Sequence, residues 1–308
     1  MKIGFLFSGQ GAQYPGMMRD LYDSEPAAKE LFDKADTVLG RGISGVCFAG
    51  TQEELNLTHN TQPCMLAGDL AAAMVLKAHG VEADAAAGFS LGEYAALAYT
   101  GAVSVDDAFR VIQIRADAMQ EAVAPGDGAM AAFIGASPEQ VEEICGKVTK
   151  GYVTAANYNS PVQTVVSGSA AGVDEACGLA DAAGLRCMKL AVSAPFHCAL
   201  MEPAARRLER EFKSVSFRKP FVPVYMNVDG MPVADGADIA QLLVRQAMSP
   251  VRWVQTLENM KADGIDTFIE CGAGRTLSGL VKKTLTDVKI LRVENMKTLR
   301  STLEELQV

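Results

Sequence analysis

Histidine, net positive charge and long apolar runs are all scarce in this sequence. Only three histidines, His59, His79 and His197, occur in 308 residues. Any chemistry that needs an imidazole base therefore has three places to find one. Acidic side chains outnumber basic ones and the formal net charge is −9. A chain of that balance is a poor general binder of nucleic acid, whose phosphates require clustered Lys and Arg. The most apolar segments, 64–76 and 85–99, are broken by Asp69 and Glu93. Both fall short of the roughly 20 apolar residues that a membrane-spanning helix needs. The run Met1–Phe7 is too short for a signal peptide and has no small-residue cleavage site behind it. The seven cysteines are odd in number and no pair is spaced C-x-x-C. That excludes a zinc knuckle and argues against a disulfide framework, so reduced thiols in the cytoplasm are expected. There is no H-E-x-x-H, no His/Cys cluster with ligand spacing, no Walker loop and no G-x-G-x-x-G opening a helix after a strand. No metal site is expected.

What is present is a globular composition, 49% apolar and 21% charged, and a length that suits about two domains. Strand-like runs at 3–7, 85–89, 222–227 and 267–270 alternate with helical patterns at 25–39, 63–79, 93–100, 105–124, 199–213, 239–248, 254–262 and 276–285. That alternation predicts a mostly parallel sheet covered on both faces. The cluster Pro125-Gly126-Asp127-Gly128 interrupts it. After it come a strand at 129–136, a helix to 148 that opens with Ser137 as N-cap and Pro138 at its first position, strands at 152–157 and 163–169, a helix at 171–183 and a strand at 185–192. The order β-α-β-β-α-β is the ferredoxin-like pattern, read as a small domain inserted in a larger one.

Gly88-Phe89-Ser90-Leu91-Gly92 fits G-x-S-x-G, the strand–turn–helix elbow of serine acyltransferases and hydrolases. The glycines permit the sharp turn, and the turn lifts the Ser90 hydroxyl out at a helix N-terminus, where the Leu91 amide can face a developing oxyanion. A purely structural turn is the alternative. A nucleophilic serine needs a base. His79 precedes Gly80 at a helix end, where capping is the expected role, and His59 lies in the polar segment 56–62, read as surface or loop. His197 lies between the inserted domain and the next helix, at a domain junction where clefts form. Gly9-Gln10-Gly11 ends the first strand and is a candidate second oxyanion donor or a plain tight turn. Arg115 sits among apolar helix neighbours and so requires an anionic partner, either a structural carboxylate or that of a substrate.

Together these motifs resemble one family. Phe7-Ser8-Gly9-Gln10-Gly11-Ala12-Gln13, Gly88-Phe89-Ser90-Leu91-Gly92-Glu93-Tyr94, Arg115 with Met119-Gln120-Glu121-Ala122, Asn157-Tyr158-Asn159-Ser160-Pro161, Pro195-Phe196-His197-Cys198, and Gln246 with Pro250-Val251-Arg252-Trp253 occur in the order found in malonyl-CoA:acyl-carrier-protein transacylases of type II fatty acid synthesis. The resemblance covers essentially the whole chain. It implies an α/β fold: a large α/β-hydrolase-like domain with a mostly parallel sheet, residues 1–127 and 193–308, and a ferredoxin-like subdomain, 128–192. It implies malonyl transfer from malonyl-CoA to the phosphopantetheine thiol of acyl carrier protein through a malonyl-Ser90 ester. His197 would be general base and acid, and the Gln10 and Leu91 amides the oxyanion hole. Arg115 would hold the malonate carboxylate, with Phe196, Met119 and Asn157 lining the donor site. The Gln246 backbone carbonyl would orient His197 in place of a third carboxylate. No cofactor, a monomer and a cytoplasmic location follow from the same resemblance. Two residues depart from the family: Phe89 stands where a His is usual, and Ser8 replaces a Pro, which predicts a looser first loop. Phe196 disfavours an α-methyl group on the donor. A stand-alone transacylase serving a polyketide synthase through another carrier, a thioesterase or esterase, and a non-enzymatic carrier-docking or scaffolding protein are the rival readings. An acidic carrier needs a local positive patch, for which Arg186, Lys189, Arg206, Arg207 and Arg210 are the candidates.

Overall fold

The computed structural model of the chain describes residues 1–192 and 194–308. Its strands are β1 (Ile3–Phe7), β2 (Ala85–Gly88), β3 (Gly128–Ile134), β4 (Val153–Ser160), β5 (Gln163–Ser169), β6 (Arg186–Lys189), β7 (Val224–Tyr225), β8 (Thr267–Cys271) and β9 (Lys289–Val293). They form two sheets. The first has the order β7-β2-β1-β8-β9 and is parallel throughout. The second has the order β4-β5-β3-β6 and is antiparallel throughout.

The register of the parallel sheet positions everything that follows. Phe7 pairs with Gly88 on one side and with Cys271 on the other. The three central strands therefore end at one level, and the loops leaving their carboxyl ends, at 8–13, 89–91 and 272–275, meet above the sheet. In open parallel sheets this is where ligands bind. β1 is buried along its whole length, as its unbroken apolar run requires.

Helix Thr58–Ala78 is buried nearly all round. It begins five residues before the predicted start, because Pro63 lies inside it. Proline cannot donate to the carbonyl four residues back. The carbonyl left free is that of His59, and it accepts instead from Arg41 Nη2 at 2.6 Å and Gln113 Nε2 at 3.3 Å. His59 is thus in the first turn of a helix, not in a loop. His79 caps the other end of the same helix, its ring 3.2 Å from Glu25.

The antiparallel sheet shows the period of two that strands impose. Ala131, Phe133 and Val166 face helices Pro138–Lys147 and Ala170–Ala182. Met130, Ala132 and Val165 face the other way, onto Phe196, Met201 and Ala204. Ser137 closes a capping box with Gln140, as its position before Pro138 predicts.

Several sequence expectations are corrected. Cys177 on helix Ala170–Ala182 and Cys187 on β6 form a disulfide, with Cα atoms 5.4 Å apart. Their spacing matches no motif; the helix crossing over the sheet brings them together. The strand expected at 185–192 ends at Lys189, and the helix expected at 199–213 is a helix Glu202–Glu211 between two 3-10 turns. β9 and helix Met296–Leu306, absent from the sequence reading, complete the parallel sheet. Ser193, where the second domain boundary falls, lies outside the described residues. No helix of the described residues is long and apolar enough to cross a membrane.

The elbow after β2 tolerates no side chain at either glycine. A Cβ on Gly88 would lie 1.9 Å from the Gly92 carbonyl carbon, and one on Gly92 would lie 2.3 Å from the Phe7 oxygen. We expect Gly88→Ala to lower the unfolding free energy by roughly 3 kcal/mol or more, the cost of an unrelieved backbone clash. Gly146→Ala, where a Cβ meets nothing within 4 Å, should leave stability unchanged or slightly raised. Urea midpoints of the two variants check this.

Candidate active site

Ser90 stands between β2 and helix Gly92–Tyr99 with φ +55°. A non-glycine residue in this left-handed region gives up roughly 1–2 kcal/mol, so the surrounding structure must hold it there. The turn aims the Ser90 hydroxyl at His197, whose Nε2 lies 2.7 Å from Oγ. His197 Nδ1 lies 3.0 Å from the backbone carbonyl of Gln246. A carbonyl only accepts, so Nδ1 carries the proton and Nε2 is the bare nitrogen that receives the Ser90 O–H. Burial, and next to it the charge of Arg115, lower the His197 pKa from 6.5 to about 4. The ring is neutral at physiological pH, as a base must be.

Arg115 comes from helix Val105–Glu121 and is 1% exposed. Its Nη1 donates to Gln62 Oε1 at 2.8 Å, and its Nη2 to Ser90 Oγ at 3.0 Å and to Gln246 Oε1 at 3.1 Å. The guanidinium lies over the Tyr94 ring, 5.5 Å from its centre, and its Nε has no partner. Among the described residues no carboxylate forms an ion pair with it, so the structural carboxylate allowed by the sequence is not there. The nearby titratable groups are held neutral. Burial pushes Glu93 up to about 8 and Tyr94 well above its usual range. The guanidinium is left as a desolvated cation facing a cleft, an arrangement that requires an anion.

The cleft, about 220 Å³, is lined by Gln10, Ser90, Leu91, Arg115, Met119, Asn157, Phe196 and His197. The structure thus gathers eight of the nine residues singled out in the sequence, from both sheets. The ninth, Gln246, lies immediately behind Ser90 and His197, with its side-chain Nε2 2.6 Å from the Ser90 carbonyl oxygen. Among the described residues the Gln10 and Leu91 amides meet no acceptor, as donors kept for an oxyanion must not. Gln62 also donates to Met119 Sδ at 3.8 Å.

The two departures are accommodated differently from expectation. Ser8 is buried, and its hydroxyl lies 3.4 Å from the carbonyls of both Cys271 and Ala273. The first loop is tied to the end of β8, not loosened. Phe89 packs edge-on against Trp253, ring centres 5.3 Å apart. The candidate basic patch is largely neutralised: Lys189, Arg206 and Arg207 are paired with Asp174, Glu202 and Glu121.

Three residues of this region escaped the sequence reading. Gln62 falls one residue before the helix start that Pro63 suggests, yet lies inside helix Thr58–Ala78. Glu93 belongs to the elbow, but nothing in its spacing marks it as buried against the turn. Asn227 accepts from the Ser90 N–H through Oδ1 at 2.8 Å and donates to the Gly88 carbonyl through Nδ2 at 2.7 Å. Its own N–H donates to Glu93 Oε1. The one available signal for Asn227 was a polar residue closing a buried strand.

Comparison with known proteins places the chain in a family. Residues 4–302 match the acyl transferase domain family. The malonyl CoA-acyl carrier protein transacylase of Bacillus subtilis is 42% identical over 99% of this chain and 98% of its own length. The crystal structure of malonyl CoA-acyl carrier protein transacylase from Clostridium perfringens is 41% identical, covers 100% of this chain and 98% of its own, and superimposes with a TM-score of 0.97. A malonyl-transacylase solved in complex with a type II PKS acyl-carrier protein is 37% identical, covers 99% of this chain and 100% of its own, and gives a TM-score of 0.96. The chain is therefore an acyltransferase, and it belongs to the acyl transferase domain family.

Proposed function

We propose that this enzyme transfers a malonyl group from malonyl-CoA to the phosphopantetheine thiol of acyl carrier protein in fatty acid synthesis. The observation that carries the reading is the Arg115 guanidinium, buried without a carboxylate partner, 3.0 Å from the hydroxyl of a serine that is itself 2.7 Å from a neutral imidazole. A donor with a free carboxylate supplies the missing anion, and guanidinium geometry allows that pairing to be bidentate.

Ser90 Oγ attacks the thioester carbonyl while His197 Nε2 takes its proton. The oxyanion rests on the amides of Gln10 and Leu91. Collapse breaks the C–S bond, and CoA leaves with the proton returned by His197. The carrier's thiol then gives its proton to His197 and attacks the malonyl-Ser90 ester, and Ser90 recovers its hydroxyl proton as that ester breaks. The Gln246 carbonyl holds His197 in the tautomer that both steps need. Met119, Asn157 and Phe196 shape the donor site, and the bulk of Phe196 opposes an α-methyl branch. Neither step asks for a cofactor or a metal.

The reading extends to the architecture. We take residues 1–127 and 193–308 as an α/β-hydrolase-like domain and 128–192 as a ferredoxin-like subdomain, for which the strand order β4-β5-β3-β6 is the support. A cytoplasmic monomer completes it, and sedimentation checks the second part.

Intact-protein mass after brief mixing with malonyl-CoA should show one malonyl adduct in the wild type and none in Ser90→Ala. Consumption of malonyl-CoA without an adduct would instead mark a hydrolase. Arg115→Ala should lower the malonyl loading rate by at least ~10²-fold, since a buried cation and its anion are lost together. Loading from acetyl-CoA, slow in the wild type, should change much less, and equal losses on the two donors would make Arg115 structural.

The lowered pKa of His197 also sets a stability window. Between about pH 6.5 and 4 the unfolded chain takes up a proton that the folded site refuses, so this group's contribution falls as pH falls through that range. Glu93, raised from 4.5 to about 8, acts in the opposite sense, its contribution falling as pH rises between those values. The His197 share is therefore read as a difference. Lowering the pH from 7 to 5 should destabilise the wild type more than His197→Gln in urea titrations.

A further inference from the structure

We propose that Asn227 is a positioning residue for the nucleophile. Its side-chain amide continues the sheet past the last backbone pair of β2 and so fixes the left-handed turn that carries Ser90. The inference rests on Ser90 being the nucleophile.

β2 pairs with β7 only through Ala86 and Ala87, opposite Val224 and Tyr225. Beyond Ala87 the elbow begins, and no strand lies beside it on that edge. The carbonyl of Gly88 and the N–H of Ser90 point to that side, two residues apart, where a continuing strand would offer one donor and one acceptor. Asn227 offers both from one side chain, Nδ2 at 2.7 Å and Oδ1 at 2.8 Å. An amide does this at every pH, as an ionised carboxylate cannot: Gly88 requires a donor and Ser90 an acceptor.

Asn227 is fixed in its turn. It is completely buried. Its backbone N–H donates to Glu93, which is also fully buried and lies in the first turn of the helix that leaves the elbow. Its backbone carbonyl accepts from the Arg252 N–H at 2.9 Å. The Ser90 carbonyl is held from the other side by Gln246 Nε2 and by the Glu93 N–H at 3.1 Å. Both peptide groups of the strained residue are therefore clamped, and the clamp on the N–H is a side chain that does not line the cleft.

The isosteric variant Asn227→Asp separates positioning from packing. It keeps the shape and loses the donor, so an ionised carboxylate faces the Gly88 carbonyl. Protonated, the carboxyl regains one donor and one acceptor. We expect single-turnover malonyl loading in Asn227→Asp to fall by ~10²-fold at pH 8, the loss typical of a reacting group displaced by about 1 Å. The ratio to wild type should recover at least ~5-fold at pH 6, following the protonation that restores the bond pattern. Asn227→Ala should show the low rate at both pH values, with the half-saturating malonyl-CoA concentration within about three-fold of wild type. Wild-type rates in Asn227→Ala, or an Asp variant whose deficit is the same at both pH values, would overturn the proposal. Labelling of Ser90 by a fluorophosphonate is followed in parallel. A wild type that reacts with this probe but takes no malonyl group would sink the transferase reading instead, and the clamp is then judged on the probe's rate in the same variants.

Discussion

The elbow at the head of the parallel sheet depends on one residue being held in a backbone conformation it would not choose. Ser90 sits at positive φ because β2 must end and a helix must begin within three residues, with no room for a side chain at Gly88 or Gly92. The parallel sheet makes this possible by ending β1, β2 and β8 at one level. The open side of the turn is then closed by groups that arrive from far along the chain, Asn227 and Gln246 among them. The fold serves the site mainly by bringing residues more than a hundred positions apart to the two peptide groups of Ser90.

A second constraint is electrostatic. Four groups that could carry charge crowd the floor of the cleft: Glu93, Tyr94, Arg115 and His197. Burial drives the acid and the phenol toward their protonated forms and the imidazole toward its free base. Arginine cannot follow, since its guanidinium keeps its proton in proteins. The outcome is one positive charge in a neutral surround, where an approaching carboxylate meets little competition from water or from protein anions. The same charge helps keep His197 neutral.

Much of this was legible in the sequence, for reasons that differ by element. Ile3–Phe7 and Gln163–Ser169 appear with the bounds expected, because an unbroken apolar run or a capped helix beside it leaves the chain few options. Ser90, His197 and Arg115 were legible because scarcity and burial cost made each conspicuous: one elbow, three histidines, one arginine on an apolar helix face. What stayed hidden depends on tertiary neighbours. Pro63 suggested a helix start, yet the helix runs through it because Arg41 and Gln113 take up the orphaned His59 carbonyl. The Cys177–Cys187 bond joins residues that no local pattern links. Gln62 and Asn227 act through amides, which carry no charge and leave no periodic trace. β9 is an edge strand with half-exposed side chains, so its apolar signal is weak.

The bond between Arg115 Nη2 and Ser90 Oγ gives the resting site a safety catch. The Ser90 oxygen accepts a hydrogen bond from a cation, and that bond withdraws electron density from its lone pairs. On the function proposed above, a carboxylate pairing with the guanidinium would hand the lone pair back. Water and carboxylate-free thioesters offer the arginine nothing and find the serine still engaged. On the proposed function, selectivity would be felt at the attacking atom as well as in the fit of the donor.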